Sequence, residues 1–107
     1  MLQVHHYLTN DSRNPFDEWA STLDKVTRAK VAQRLDRMAH GNLGDYKHVK
    51  ERVYEARLDF GPGYRLYFAR EGLEIIVLLC GGDKGTQDRD IDRAVEFLRD
   101  YLTRRTQ

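Results

Sequence analysis

The sequence predicts an α+β domain in the order strand, helix, helix, three strands, helix. Apolar residues recur at helical spacing between residues 16 and 38 and again between 91 and 102, whereas Val53 to Ala69 alternates with a period of two. A helical stripe and a strict alternation cannot belong to the same kind of element, so the change of period divides the chain. At 107 residues the chain has room for one core, and residues 1–107 are read as a single domain.

Leu2 to Leu8 reads as the first strand. Asn14-Pro15 then offers a capping side chain followed by proline at the first helical position. Phe16, Trp19, Ala20 and Leu23 fall on one face of the short helix that follows. A second helix is expected from Lys25 to about Ala39, with Val31, Leu35 and Met38 as its apolar stripe and Gly41 as its stop. In the next strand Tyr54, Ala56, Leu58 and Phe60 alternate with Val53, Glu55, Arg57 and Asp59. Gly61-Pro62-Gly63 is turn chemistry. A second alternating strand follows, with Tyr64, Leu66 and Phe68 on one face and Arg65, Tyr67 and Ala69 on the other. After the Glu71-Gly72 turn, Ile75 to Cys80 is continuously apolar, as in a central strand covered on both sides. Gly81 to Gly85 reads as a glycine-rich loop. The last helix runs to about Leu102 on a stripe of Ile91, Ala94, Val95, Leu98, Tyr101 and Leu102. The helices are expected to pack on the apolar face of the sheet.

Composition excludes several classes of function. Acids and bases nearly cancel, leaving a formal net charge of +1, so any grip on nucleic acid must come from a local basic patch. One cysteine, Cys80, excludes an internal disulfide and fits a reducing compartment. The N-terminus lacks the charged and apolar regions of a signal peptide. Ile75 to Cys80, the longest apolar run, is too short to cross a bilayer. The expectation is a cytoplasmic protein with no membrane partner.

If the helices cover the Tyr54/Leu58/Leu66/Phe68 face, the opposite face gathers Glu55, Arg57, Arg65 and Tyr67 on neighbouring strands. Cross-strand neighbours lie roughly 5 Å apart, and Lys84 falls near the rim of the same surface. Arginine forks and lysine suit phosphate oxygens, and tyrosine can stack on a base. Alternating Arg and Glu on an outer strand face are also, and more commonly, a solvated surface with cross-strand ion pairs. The pattern alone leaves both readings open.

Tyr54-Glu55-Ala56-Arg57-Leu58-Asp59-Phe60-Gly61-Pro62-Gly63-Tyr64-Arg65-Leu66-Tyr67-Phe68 resembles the RelE/ParE toxin superfamily, in particular its HigB-like addiction module killer branch. So do Leu78-Leu79-Cys80-Gly81-Gly82-Asp83-Lys84, the following Gln87, Asp90-Ile91 and Ala94, and the upstream Gly41-Asn42-Leu43-Gly44-Asp45 with Lys47. The resemblance implies a RelE-like fold, β-α-α-β-β-β-α, with a small, largely antiparallel sheet and helices packed on one face. It implies the toxin of a type II toxin–antitoxin pair that cuts messenger RNA on the ribosome and is silenced by a helix-turn-helix antitoxin. No metal and no cofactor are expected. The chemistry is attack of a ribose 2′-hydroxyl on the adjacent phosphate, which needs a base, cations at the phosphate and an acid for the leaving oxygen.

By that resemblance Arg65 contacts the scissile phosphate, Arg57 is the basic strand residue, and Lys84 is the basic position after the central strand. Two departures matter. Glu55 stands where some relatives have a second catalytic lysine, and Arg89-Asp90-Ile91 stands where relatives often supply tyrosine or histidine. Glu55, Asp45, His48 and Asp90 are therefore all candidates for acid–base work. Lys47, His48 and Lys50, beside the proposed site, are candidates for RNA binding, with Tyr67 as a stacking surface.

Lesser signals favour plain roles. His5-His6, His40 and His48 lack ligand spacing on a defined helix. Cys80 and Trp19 read as core residues. Gly81-Gly82-Asp83-Lys84 lacks the length and the Ser/Thr of a phosphate-binding P-loop. Lys25, Arg28, Lys30, Arg34 and Arg37 read as solvated charge rather than contacts to ribosomal RNA. Two other functions compete: a ParE-like, non-enzymatic poison of DNA gyrase, and a degenerate member that only binds its antitoxin. One fold can host all three.

Overall fold

The computed structural model describes residues 1–105. The elements are β1 (Gln3–His6), α1 (Pro15–Ala20), α2 (Lys25–Ala39), β2 (Tyr46–Lys50), β3 (Val53–Leu58), β4 (Tyr64–Glu71), β5 (Ile75–Asp83), a 3₁₀ turn (Lys84–Thr86) and α3 (Gln87–Arg105). They form an α+β fold around one five-stranded sheet, in the order β1-β5-β4-β3-β2. The sheet is mixed: β1 runs parallel to β5, and the other pairings are antiparallel.

Local chemistry sets the helix ends. Asn14 Oδ1 accepts from the Asp17 amide at 3.1 Å, and Asp24 Oδ1 accepts from that of Thr27 at 2.7 Å, each satisfying an amide that has no partner within its helix. At the end of α2 the Gly41 amide returns to Met38 O and that of Asn42 to Arg37 O, both at 2.9 Å, while Gly41 turns left-handed at φ +96°.

Burial follows the two-residue period. Ala56, Leu58, Leu66, Phe68, Ile76 and Leu78 share one cluster with Phe16 of α1 and with Val31 and Met38 of α2. The two N-terminal helices thus pack on the apolar face, as the alternation predicts. Val53, Tyr67, Ala69, Val77 and Leu79 form a second cluster with Ala94, Val95 and Leu98 of α3. β5 is therefore covered on both sides, as its continuous apolar run requires.

Three boundaries differ from the sequence reading. β2 is an additional strand, invisible by periodicity because four of its five residues are exposed. β1 is shorter than Leu2 to Leu8, although the Tyr7 amide still bonds Leu78 O at 2.9 Å. β5 continues through Gly81 and Gly82 to Asp83, where a glycine-rich loop was expected. These glycines are strand residues: a Cβ on Gly81 would collide with the Trp19 ring, and one on Gly82 with the Asp90 carboxylate. Among the described residues no helix is long and apolar enough to cross a membrane.

Candidate functional site

The meander places Arg57 opposite Arg65, and Glu55 opposite Tyr67 on one side and Lys47 on the other. All five belong to the face on which α3 lies, but α3 covers them unequally. Glu55 and Tyr67 are fully buried, whereas the Arg65 side chain is 11% exposed and that of Arg57 34%. The arginines thus stand at the boundary between the covered and open parts of the sheet.

Glu55 organises them. Its Oε1 accepts from Arg57 Nε at 3.2 Å and lies 3.5 Å from Arg65 Nε. Its Oε2 accepts from Gln87 Nε2 at 2.6 Å and from the Tyr67 hydroxyl at 3.3 Å. A buried carboxylate is costly unless paired and hydrogen-bonded, and here both oxygens are engaged. The same carboxylate offsets a second cost, because like charges directly opposite each other on paired strands repel. Burial, then the charge of Glu55, pushes the Tyr67 hydroxyl far above its usual range, so it stays protonated and donates.

Above this network is a pocket of about 400 Å³ lined by Arg57, Arg65, Lys84, Asp45, Asp59 and the Gly61-Pro62-Gly63 turn. Gly63, at φ +79°, lets the two cations approach: a Cβ there would lie 3.3 Å from Arg65 Nη1 and 3.4 Å from Lys84 Cβ. Arg65 Nη1 donates to Gly63 O at 3.2 Å. Arginine forks and an ammonium around an open pocket can bind an anion with several oxygens. Asp45 and Asp59 are the carboxylates that line it.

Arg57, Arg65, Glu55 and Lys84 are thus brought together, and Lys47 shares their face from the neighbouring strand. Asp45 lines the same pocket, whereas Asp90, His48, Lys50 and Tyr67 do not. Asp90 is 1% exposed and belongs to a separate cluster, with Oδ2 accepting from Thr86 Oγ1 at 2.5 Å and Oδ1 lying 3.5 Å from Arg89 and 3.8 Å from Arg93. His48 sits at the register position of Tyr54 and packs edge-on to that ring at 5.6 Å, on the opposite face. Lys50 is paired with Asp92 of α3 at 2.9 Å. Tyr67 lies beneath α3 with no ring face free for a base. The path of α3 across the sheet accounts for Asp90, Lys50 and Tyr67, and the register of β2 against β3 accounts for His48. Cys80 is buried, and burial pushes its thiol up to about 12, consistent with a core role. Among the described residues no three of His, Cys, Asp and Glu gather where they could hold a metal ion.

No known protein-family profile matches the chain. An uncharacterized protein of Haemophilus influenzae is 45% identical to it over 80 residues, which cover 74% of this chain and 81% of that protein. The chain belongs to that protein's family. Membership leaves the chemistry to be argued from the site.

Two supporting residues escaped the sequence reading. Gln87 was visible only as part of a motif, yet it holds the Glu55 carboxylate from the first turn of α3. Arg34, grouped with solvated charges, is buried. It donates to Arg57 O at 2.6 Å, Leu43 O at 3.0 Å and Asp45 O at 2.8 Å, so it fixes the backbone on which two pocket residues stand. Its spacing carried the signal: Arg34 lies three residues after Val31 and four before Met38, on the buried stripe.

Proposed function

We propose that this protein is a metal-independent RNA endonuclease, the toxin of a type II toxin–antitoxin pair with a RelE-like fold. The observation that carries the reading is the opposed pair Arg57 and Arg65, held by one buried carboxylate and facing Lys84 across an open pocket. Nothing in the core requires two arginines to face each other there. A phosphodiester in the pocket would relieve their repulsion and give each guanidinium an oxygen to bind. The resemblance of the Tyr54–Phe68 and Leu78–Lys84 stretches to the RelE/ParE superfamily supports the same conclusion.

In the reaction the ribose 2′-oxygen attacks the adjacent phosphorus and the bond to the 5′-oxygen breaks, leaving a 2′,3′-cyclic phosphate and a 5′-hydroxyl. Asp45 takes the 2′ proton, and the Lys84 ammonium supplies a proton to the departing 5′-oxygen. Arg57 and Arg65 stabilise the charge that develops on the phosphorane oxygens. Glu55 orients the two guanidiniums and, with both oxygens occupied, does not act as the base. The partners are messenger RNA on the ribosome and a helix-turn-helix antitoxin that neutralises the toxin.

Controlled expression of the wild type and Arg65→Ala, with primer extension on cellular messages, tests this. The wild type should arrest growth and create new 5′ ends in step with the reading frame. The variant should lose both, with about a 10²–10³-fold fall in cleavage, as when one charge-stabilising group is removed from a transition state. Growth arrest without new ends would instead indicate gyrase poisoning, and no arrest would indicate a member without chemistry.

A further inference from the structure

A second cleft, of about 490 Å³, opens where α1 and the start of α3 flank the end of β5. Its floor is a strand edge. β1 pairs with β5 only as far as Leu78, whereas β5 runs on to Asp83. Among the described residues β1 is the only strand beside β5 on that side. An unpaired edge presents backbone N–H and C=O groups, and Gly81 and Gly82 add no side chains of their own, the Trp19 ring and the Asp90 carboxylate lying against their two faces.

One wall is aromatic: Trp19 is partly exposed, and its ring lies 6.2 Å from that of Tyr64 at 62°. The carboxylates in the lining are already engaged. Glu18 accepts from Arg13 at 2.8 and 2.7 Å, Asp83 caps the 3₁₀ turn, and Asp90 is held by Thr86, Arg89 and Arg93. Arg89 and Arg93 remain 67% and 46% exposed. The cleft thus combines an aromatic surface, a hydrogen-bonding edge and cations at the rim, which suits a planar, uncharged heterocycle carrying an anionic group. Pro62 lines both this cleft and the Arg57–Arg65 pocket, and Tyr64 and Arg65 are chain neighbours on opposite faces of β4.

We infer that the Trp19–Tyr64 cleft is a base-binding subsite for a nucleotide flanking the phosphate held by Arg57 and Arg65. The inference rests on the RNA reading above. It assigns α1 and the β5 edge a part in choosing which RNA sequence is cut, because hydrogen bonds along a strand edge can distinguish one base from another.

Trp19 is the single tryptophan, so its emission reports on the cleft directly. The full chain and an Arg65→Gln variant, which keeps a polar side chain but does not cleave, would be titrated with the four 5′-nucleoside monophosphates and separately with inorganic phosphate. Saturable quenching by at least one monophosphate, in both proteins and not by phosphate, is expected. Arg93→Gln, a change at the surface, should weaken that binding about five- to tenfold. Trp19→Phe should alter the flanking base preferred at cleavage sites. Emission unmoved by all four monophosphates, in a protein that still cleaves RNA, would overturn the subsite and leave the nuclease reading standing. Equal quenching by phosphate would also overturn it. Quenching in a protein that cleaves no RNA would establish a nucleotide site and refute the nuclease.

Discussion

Arg34 carries a charge into the interior and meets carbonyls there rather than a carboxylate. Burial first, and then the nearby charge of Arg37, lowers its pKa, yet a guanidinium stays protonated in a protein. Its three acceptors lie on the loop after α2 and on β3, so one side chain joins the helix to the sheet beneath the pocket. Gly44, at φ +65°, lies against it so closely that a Cβ there would meet its guanidinium carbon at 2.8 Å. Arg34→Met keeps much of the apolar stem and strands the three carbonyls; it should cost about 2–4 kcal/mol. Urea denaturation checks this, and an unchanged midpoint would show that water replaces the guanidinium without loss. The same residue shows where reading from sequence stops. Position 34 is on the buried stripe by spacing, but spacing cannot say that three carbonyls wait for an arginine there. Arg65 and Arg57 were legible because a period of two assigns faces whatever the partners are. That Glu55 would be a fully buried anchor rather than a surface acid depended on Gln87 from α3 and on Tyr67 from the neighbouring strand.

At the scale of elements, the end of β5 decides how the two halves of the molecule meet. Trp19 of α1 rests on Gly81 from one face, and Asp90 of α3 lies against Gly82 from the other. Two adjacent glycines therefore let one helix from each side approach the strand at the same point. In the sequence they read as a loop, since glycine in a strand interior is unfavourable and ordinarily marks a turn. The contacts that repay them come from residues distant in the chain. β2 went unread for the opposite reason, because an exposed edge strand has no alternation to detect. Gly82→Ala should cost about 1–3 kcal/mol, as when a methyl is forced into a filled space, and should drive Asp90 from its bond with Thr86. Gly81→Ala should displace the Trp19 ring, shifting its emission together with a lower melting temperature. Unshifted emission in Gly81→Ala would mean that the ring does not rest on the strand.

The molecule as a whole stores protons beneath α3. Tyr7, Tyr67 and Cys80 all lie between the sheet and that helix. Burial, then the bond to Asp100, pushes the Tyr7 hydroxyl up to about 12, with Arg104 acting against it. Burial pushes the Cys80 thiol up to about 12, with Arg93 and Asp90 nearby, and moves Tyr67 in the same direction beside Glu55 and Asp90. In the unfolded chain these groups would lose their protons near their ordinary values of 9.0 and 10.0. Each native pKa is raised, so each contribution is complete below the unfolded value and is lost as pH rises towards the native one. Stability should therefore fall steadily from about pH 9 to about pH 12, first through Cys80 and then through the tyrosines. Urea midpoints measured across that range check it, with Cys80→Val and Tyr67→Phe as controls that should each flatten part of the slope. Tyr67→Phe also removes a donor from Glu55, so it should lower the midpoint at neutral pH, whereas Cys80→Val leaves that network untouched. A flat profile in the wild type would mean that α3 opens to admit hydroxide before the rest of the fold gives way. The helix that conceals half of the candidate site from the sequence would then be its most mobile cover.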